Sequence, residues 1–294
     1  QRDLLTAMLT AGVIAPDQYE RAAAATTVVQ RGTGASAADI APDYVAYARR
    51  QAEAILSGLG LDGTRLIARG GLRITTALDL GLQAQADCTL RAQIAALNDA
   101  QAPTTALDGG RCVGAELLPQ LSADALLATG PQPDSGSVVI LDAQAGVLRA
   151  LVGPGTSAAF QPAGSLLPVV YFEGFNGGLG GLYTPARMVF DIPAQFPGSE
   201  EGLIYTVGNL DGRFRGPMNL REAMGAALIP PAADVAYRQG MSNILRTAHL
   251  LGLNSLDENG YDLMLLERGG TVAPLDIAYV YSVFAALGDM RGVS

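Results

Sequence analysis

The amino-acid sequence predicts an α+β fold. Two apolar segments, residues 137–142 and 146–152, flank a short turn, which is the pattern of a β-hairpin. Apolar residues recur at helical spacing over much of the remaining chain, most clearly over residues 241–251 and 275–286. With 294 residues, of which 49% are hydrophobic and 16% are charged, the chain is long and apolar enough to bury a sizeable core.

The same patterns assign further elements in chain order. Alternating apolar residues predict a strand over residues 72–78, and Asp79 follows as the N-cap of the next helix. A short strand is predicted near residues 115–118, and beyond residue 168 the pattern is mainly helical. The predicted helices are a pair within residues 2–30, then 41–58, 80–97, 219–227, 241–251 and 275–286.

The composition argues against several classes of function. The formal net charge of −9 argues against nucleic acid and against an anionic membrane surface as partners, since both are bound through basic faces. All 19 basic residues are arginine, so no lysine is present for a Walker A loop, a Schiff base or a Ser-Lys dyad. Because the chain has one histidine, His249, and two cysteines, we expect no metal site and no cofactor.

Cys88 and Cys112 have no metal-ligand spacing. In a cytosolic protein they would be unrelated buried thiols and in an exported protein they would pair, and the residues alone leave both alternatives open. No apolar run approaches the ~18 residues that span a bilayer. The chain begins with Gln1 and carries no signal peptide, so we expect a processed or partial product, or a chain whose true N-terminus is not assigned.

Five segments carry a family resemblance, and they are residues 2–14, 70–79, 137–153, 209–223 and 271–279. The most specific of them is the long string that begins Asn209-Leu210-Asp211-Gly212-Arg213 and runs on to residue 223. In this collinear order the chain resembles the class A penicillin-binding proteins, which are bifunctional peptidoglycan synthases.

The resemblance implies a fold and a division into domains. Residues 135–294 would form a truncated transpeptidase-like domain, related to the serine β-lactamases. Residues 41–134 would form a small mixed linker domain, and residues 1–40 a helical remnant of the upstream glycosyltransferase domain. The resemblance also places the chain outside the cytoplasm, associated with the membrane, and therefore favours a disulfide between Cys88 and Cys112.

The resemblance further implies where the family's catalytic motifs fall. In the string from residue 161 to 168, Gly164 takes the place of the nucleophile and Leu167 that of the lysine in Ser-X-X-Lys. Ala227 and Ile229 take the polar positions of Ser-X-Asn, and Lys-Thr-Gly would lie beyond the end of the chain. Since acyl transfer by serine needs a nucleophile, a base and oxyanion donors, we expect no catalytic residues and a chain that is not an enzyme.

Two functions follow from these expectations. The first is a catalytically inactive subunit that serves as a structural or interaction component of an extracytoplasmic assembly. Such a subunit would contact other protein chains, bind peptidoglycan weakly and reach the membrane through a partner or an absent upstream anchor. The apolar helix face at Ile244, Leu245, Ala248 and Leu251 would then need cover from outside the chain. The alternative is a fragment of a peptidoglycan synthase whose activity resides in an upstream glycosyltransferase domain.

Other chemically suggestive residues are expected to have structural roles. They are Ser165 as a helix-start serine, His249 at a helix C-terminus, the glycine run 177–181 as a loop, the acidic pairs Glu200–Glu201 and Asp257–Glu258 as solvated charges, and Asp211, Arg213 and Arg215 as an ion-paired turn.

Overall fold

The computed structural model describes residues 2–25, 40–118, 133–157, 160–176, 183–198, 203–256, 260–267 and 270–291. The chain divides into two compact units, Gln1–Ser36 and Ala37–Ser294. The boundary predicted at residue 134 falls inside the second unit, and the division into linker and transpeptidase-like domains stays a prediction.

The first unit contains the predicted pair of helices. Arg2–Thr10 (α1) is followed by Gly12, whose φ of 67° lies in the left-handed region that glycine adopts readily. Pro16–Ala24 (α2) begins with proline in its first turn, where the missing N–H has no helical partner to lose.

The second unit begins with three helices, which are Pro42–Gly58 (α3), Gly63–Arg69 (α4) and Leu80–Leu97 (α5). Asp79 caps α5 as predicted, because its Oδ1 accepts a hydrogen bond of 2.9 Å from the Leu82 N–H.

The predicted hairpin forms between Val138–Asp142 (β1) and Val147–Val152 (β2), which pair antiparallel. In the turn, the Asp142 side chain accepts two backbone N–H groups. Helix α5 packs on one face of the hairpin, and α3 together with Pro274–Ala285 (α10) packs on the other. Because a two-stranded sheet is marginally stable alone, this three-layer arrangement is what holds the hairpin.

Residues at the start of α5 form hydrogen bonds with the outer edge of β2. Gln83 is 1% exposed, and its side-chain amide donates to the Leu151 carbonyl and accepts from the Leu151 N–H, each at 2.8 Å. The Asp79 N–H donates to the carbonyl of Arg149 at 2.9 Å. The amide of Gln83 thus replaces the backbone of a neighbouring strand and satisfies groups that would otherwise be buried without partners.

The remaining elements alternate short strands and helices. They are a 3₁₀ turn Ala163–Leu166, then Leu167–Asn176 (α6), Met188–Asp191 (β3), Ala194–Pro197 (β4), Ile204–Val207 (β5), Gly216–Asn219 (β6), Leu220–Gly225 (α7), Ile229–Gln239 (α8), Met241–Leu250 (α9) and a 3₁₀ turn Leu263–Leu266. Strand β3 pairs antiparallel with β6, and β4 pairs antiparallel with β5. A large apolar core lies beneath them, built mainly from α6, α8 and α9.

Three expectations about the strands are wrong. Residues 71–78 form no strand, because the segment meets β2 through a side-chain bond from Arg149 to the Ala77 carbonyl at 3.4 Å and through the backbone bond of Asp79 that follows, rather than through a ladder. Residues Gly114–Leu117 form a 3₁₀ turn, closed by bonds such as that from Glu116 N–H to the Val113 carbonyl, where a strand was expected. Strands β3 to β6 lie in a region expected to be mainly helical, and at four residues each they are too short for their period to be recognised.

The apolar face of α9 is covered by this chain itself. Ile244, Leu245 and Ala248 are buried against α6 and α8, and Leu251 is buried in the same core. The expectation that this face needs cover from outside the chain is therefore wrong.

The structure joins Cys88 in α5 to Cys112 by a disulfide with an S–S distance of 2.03 Å. The bond fixes the segment before the 3₁₀ turn at Gly114–Leu117 against α5, where Ala84 and Ala106 complete a small apolar cluster. No helix in the described part of the chain is long and apolar enough to cross a membrane.

Candidate functional site

The first predicted motif lies at the start of α6. Leu167 is buried in the core, so this side chain points away from solvent. A Cβ added at Gly164 would meet no atom within 4 Å, which leaves open space at the predicted nucleophile position. The Ser165 hydroxyl donates to the Pro162 carbonyl at 2.5 Å inside the 3₁₀ turn Ala163–Leu166, whereas the helix-start serine expected here would accept a backbone N–H.

The second predicted motif lies in the turn between α7 and α8. The Leu228 N–H bonds the Ala223 carbonyl at 3.1 Å and the Ala227 N–H bonds that of Met224, which together form a Schellman C-cap. Ala227 carries the left-handed conformation of this cap, with φ of 50°. Ile229, the first residue of α8, is buried in the core.

The packing of α6 against α8 brings the two motif positions into one core. Leu167 and Ile229 belong to the same apolar cluster. The Tyr171 hydroxyl of α6 donates to the Leu228 carbonyl at 3.5 Å. Burial raises the pKa of Tyr171 far above its usual value, and the nearby Asp191 charge raises it further, so the phenol stays a protonated donor.

A left-handed alanine precedes each buried position. Ala163 has a φ of 39° and Ala227 a φ of 50°, and both have a side chain where glycine is the residue of lowest strain. Strained backbone of this kind persists where the surroundings impose it, and it is concentrated at functional sites. Because Asp99 and Leu287 also have positive φ, it is the two aligned motif positions, rather than the backbone conformation, that define the α6–α8 region as the candidate functional site.

A buried carboxylate holds the loop that supports α8. Asp191 is fully buried and accepts hydrogen bonds from Asn209 Nδ2 at 2.7 Å and from the Arg215 N–H at 2.9 Å. Asn209 in turn accepts from the Ile229 N–H at 3.0 Å, which ties the loop to the first turn of α8. Because the charge of Asp191 is met by two hydrogen bonds and the Arg215 guanidinium at 3.8 Å, its burial is compensated.

The ion-paired turn expected at Asp211, Arg213 and Arg215 lies in this loop. The Arg215 guanidinium contacts the Asp211 carboxylate at 2.7 Å, and the Arg213 N–H donates to the same side chain at 3.1 Å. These hydrogen bonds hold the pKa of Asp211 below its usual value. The turn is therefore a structural support for the candidate site.

The other residue types singled out in the sequence lie outside this site. His249, in the last turn of α9, bonds the Leu256 carbonyl through Nε2 at 2.6 Å. The glycine run 177–181 and the acidic pairs Glu200–Glu201 and Asp257–Glu258 lie outside the described residues. Among the residues that the structure describes, no three His, Cys, Asp or Glu side chains are grouped to hold a metal ion.

Known proteins resemble this chain in sequence and in fold. No family model matches the chain. The penicillin-binding protein 1A of Neisseria lactamica is 31% identical over 161 residues, which cover 51% of this chain and 20% of that protein. The chain thus spans about a fifth of the length of the curated relatives it matches.

Two solved structures share the fold. The penicillin-binding protein 1A of Haemophilus influenzae matches 96% of this chain and 51% of its own, with a TM-score of 0.57 and 16% identity. A peptidoglycan synthase complex, described as coordinating polymerization and crosslinking, matches 71% of this chain and 41% of its own, with a TM-score of 0.51 and 18% identity.

The fold is the mixed α/β fold of the transpeptidase region of penicillin-binding proteins, as predicted. Over about half its length, the chain is homologous to the class A penicillin-binding protein 1A.

This homology corrects one expectation. The prediction that the chain is not an enzyme conflicts with its relatives, which are penicillin-binding proteins 1A and so members of an enzyme family. The absence of the family's catalytic residue types is established at four positions only, Gly164, Leu167, Ala227 and Ile229. They do not define the activity of the protein to which the chain is related.

The left-handed conformation of Ala227 yields a direct test. Replacing Ala227 by glycine should raise the free energy of unfolding by about 1 kcal/mol, because glycine adopts positive φ without a steric penalty. The control is Ala46→Gly at an exposed position inside α3, which should lower it by about 0.5–1 kcal/mol. Chemical denaturation measures both. Equal destabilisation by the two variants would contradict the cap geometry.

Proposed function

We propose that the chain is a segment of a peptidoglycan synthase, comprising a linker region and part of the crosslinking region. The observation that carries this proposal is the 31% identity to penicillin-binding protein 1A over 161 residues. The fold match over 96% of the chain to a second penicillin-binding protein 1A supports it. The proposal corresponds to the second function expected from the sequence, a fragment of a peptidoglycan synthase. The predicted linker residues and the hairpin lie in one compact unit.

Within this segment we propose structural roles for the four positions aligned with the catalytic motifs. The burial of Leu167 and Ile229 supports a packing role, since both lie in the core shared by α6 and α8. The Schellman cap supports a turn-forming role for Ala227. Gly164 lies within the 3₁₀ turn that leads into α6, where it leaves space open at the surface.

We also propose that the segment works outside the cytoplasm, in the periplasm or at the cell surface. The Cys88–Cys112 disulfide supports this location, because such bonds persist in oxidising compartments. Association with the membrane would come from another part of the protein or from a partner. Other protein segments of a synthase complex are the partners we propose, by analogy with the complex whose fold the chain shares.

The location has a chemical test. Peptide mapping of freshly isolated protein without reductant should recover the Cys88 and Cys112 peptides as one linked species. Reduction should then lower the free energy of unfolding by about 3 kcal/mol, as expected for a closed loop of this length. Two cysteines that both react with an alkylating agent before reduction would contradict the proposed compartment.

The function is tested in the source organism. Depletion of the natural protein should lower the fraction of crosslinked muropeptides, or shorten the glycan chains, when the digested cell wall is analysed by chromatography and mass spectrometry. Re-expression of the natural protein should restore both quantities. Unchanged crosslinking and unchanged chain length after depletion would contradict a role in peptidoglycan synthesis.

A further inference from the structure

A cavity of about 420 Å³ lies within the second unit, between β3, β4 and one side of α8. Residues 187–190 line it without a gap, and so do residues 192–196. Side chains of a strand alternate between two faces, so a cavity on one face of a strand would be lined by every second residue. The unbroken runs therefore indicate that this cavity lies along the edges of β3 and β4.

The edge of β3 at this cavity is open. Among the described residues, β3 has one strand partner, which is β6. The Leu220 N–H donates to the Arg187 carbonyl at 2.9 Å, and hydrogen-bonded pairs alternate along an antiparallel ladder. The next such pair contains Val189, so Met188 and Phe190 point their N–H and C=O groups away from β6. Two donors and two acceptors are thus available to a further strand.

The edge of β4 at the cavity is blunted by proline. The Gly198 N–H donates to the Leu203 carbonyl at 2.7 Å, which fixes the same alternation in the β4–β5 ladder. The backbone groups of Gln195 and Pro197 consequently point away from β5. Pro197 has no N–H, and proline on an edge strand discourages the addition of another strand. Strand β3 is therefore the edge on which an extended segment can pair.

The surface beside this edge is apolar. Val189, Phe196 and Pro230 are buried and line the cavity from below. On the other face of β3, Met188 and Phe190 are 60% and 58% exposed. Exposed apolar side chains that adjoin an open strand edge are typical of surfaces that bind extended peptides, whose alternate side chains contact the two sides of the edge.

The cavity has a positive charge balance, although the chain as a whole carries −9. Arg187 and Arg238 line it, and Asp234 is the one acid among its described lining residues. Arg238 donates to the Asp234 carboxylate at 2.9 Å, and the Arg187 guanidinium lies over the Tyr183 ring at 4.6 Å from its centre. Both guanidinium groups are therefore held in place. A balance of +1 favours a ligand that carries a carboxylate.

We propose that β3 binds an extended segment of another protein chain by β-strand addition, and that this segment has alternating apolar residues and at least one carboxylate. The backbone of the segment pairs with Met188 and Phe190. Its apolar side chains contact Phe190 and Phe196, and its carboxylate lies near the two arginines of the cavity. This surface goes beyond the proposed function, since it would bind such a segment whether or not the chain acts in peptidoglycan synthesis.

Peptide selection on the full 294-residue protein tests the binding. The probe is a phage-displayed library of random ten-residue peptides. Peptides that alternate apolar residues and contain aspartate or glutamate should be enriched, because they match both the edge and the charge of the cavity. Selection of no peptide, or of peptides without an acidic residue, overturns the proposal.

A selected peptide is then synthesised in two N-methylated forms, one methylated at its odd-numbered amides and the other at its even-numbered amides. Successive N–H groups of an extended strand point to opposite edges, so only one form loses its hydrogen bonds to β3. That form should bind at least about tenfold more weakly than the other when titration is followed by fluorescence anisotropy. Equal affinities of the two forms overturn strand addition.

Two variants with matched controls locate the binding. Phe190→Ala should weaken it about tenfold, whereas Ile204→Ala removes a similarly exposed side chain of β5 that does not line the cavity and should leave the affinity unchanged. Arg238→Gln should weaken binding about fivefold, and Arg246→Gln on α9 should not. Unchanged affinity in both Phe190→Ala and Arg238→Gln overturns the assignment to this cavity.

Sedimentation of the protein alone identifies the occupant. A monomer supports a different chain as the partner. A dimer that Phe190→Ala dissociates would make a second copy of this chain the occupant and overturn the proposal.

The outcomes separate this surface from the proposed function. Peptide binding at β3 with unchanged muropeptides after depletion would leave the surface standing and remove the role in synthesis. Altered muropeptides with no selected peptide would do the reverse.

Discussion

The bidentate bond between the Gln83 side chain and the backbone of Leu151 is the interaction on which the second unit depends. A two-stranded hairpin has two open edges and two open faces, and few such hairpins are stable alone. The Gln83 side chain supplies hydrogen bonds to the backbone at one edge. Helix α5 covers one face of the hairpin, and α3 with α10 covers the other face. Helices before the hairpin and a helix far after it are thereby held in one unit.

The candidate site is held by a separate set of hydrogen bonds. Asp191 is fully buried and accepts a hydrogen bond from the Asn209 side chain. The Asn209 side chain in turn accepts a hydrogen bond from the first N–H of α8. The left-handed Ala227 precedes this helix, and α6 packs against it. The charge of one carboxylate thus fixes the backbone at the position where the resemblance to penicillin-binding proteins is most specific.

Local signals were readable from the sequence and long-range ones were not. The hairpin and the cap at Asp79 are set by neighbouring residues, and the structure has both. Residues 72–78 alternate as a strand does but lack a partner for a ladder, which no local pattern reveals. The bond between Gln83 and Leu151 joins residues 68 positions apart, so sequence spacing could not indicate it. The expectation of a non-enzyme failed because it generalised from four aligned residues to the activity of a family.

The central claim is that the helices before the hairpin and the hairpin itself form one cooperative unit through Gln83. Native-state hydrogen exchange on the protein, Gln83→Ala and the control Gln93→Ala on the same helix tests it directly. Gln83→Ala should lower the opening free energy of amides in both β2 and α5 by about 2–3 kcal/mol, because Leu151 loses both partners. Gln93→Ala should leave it nearly unchanged. Loss of protection in α5 with full protection of β2 would contradict the claim.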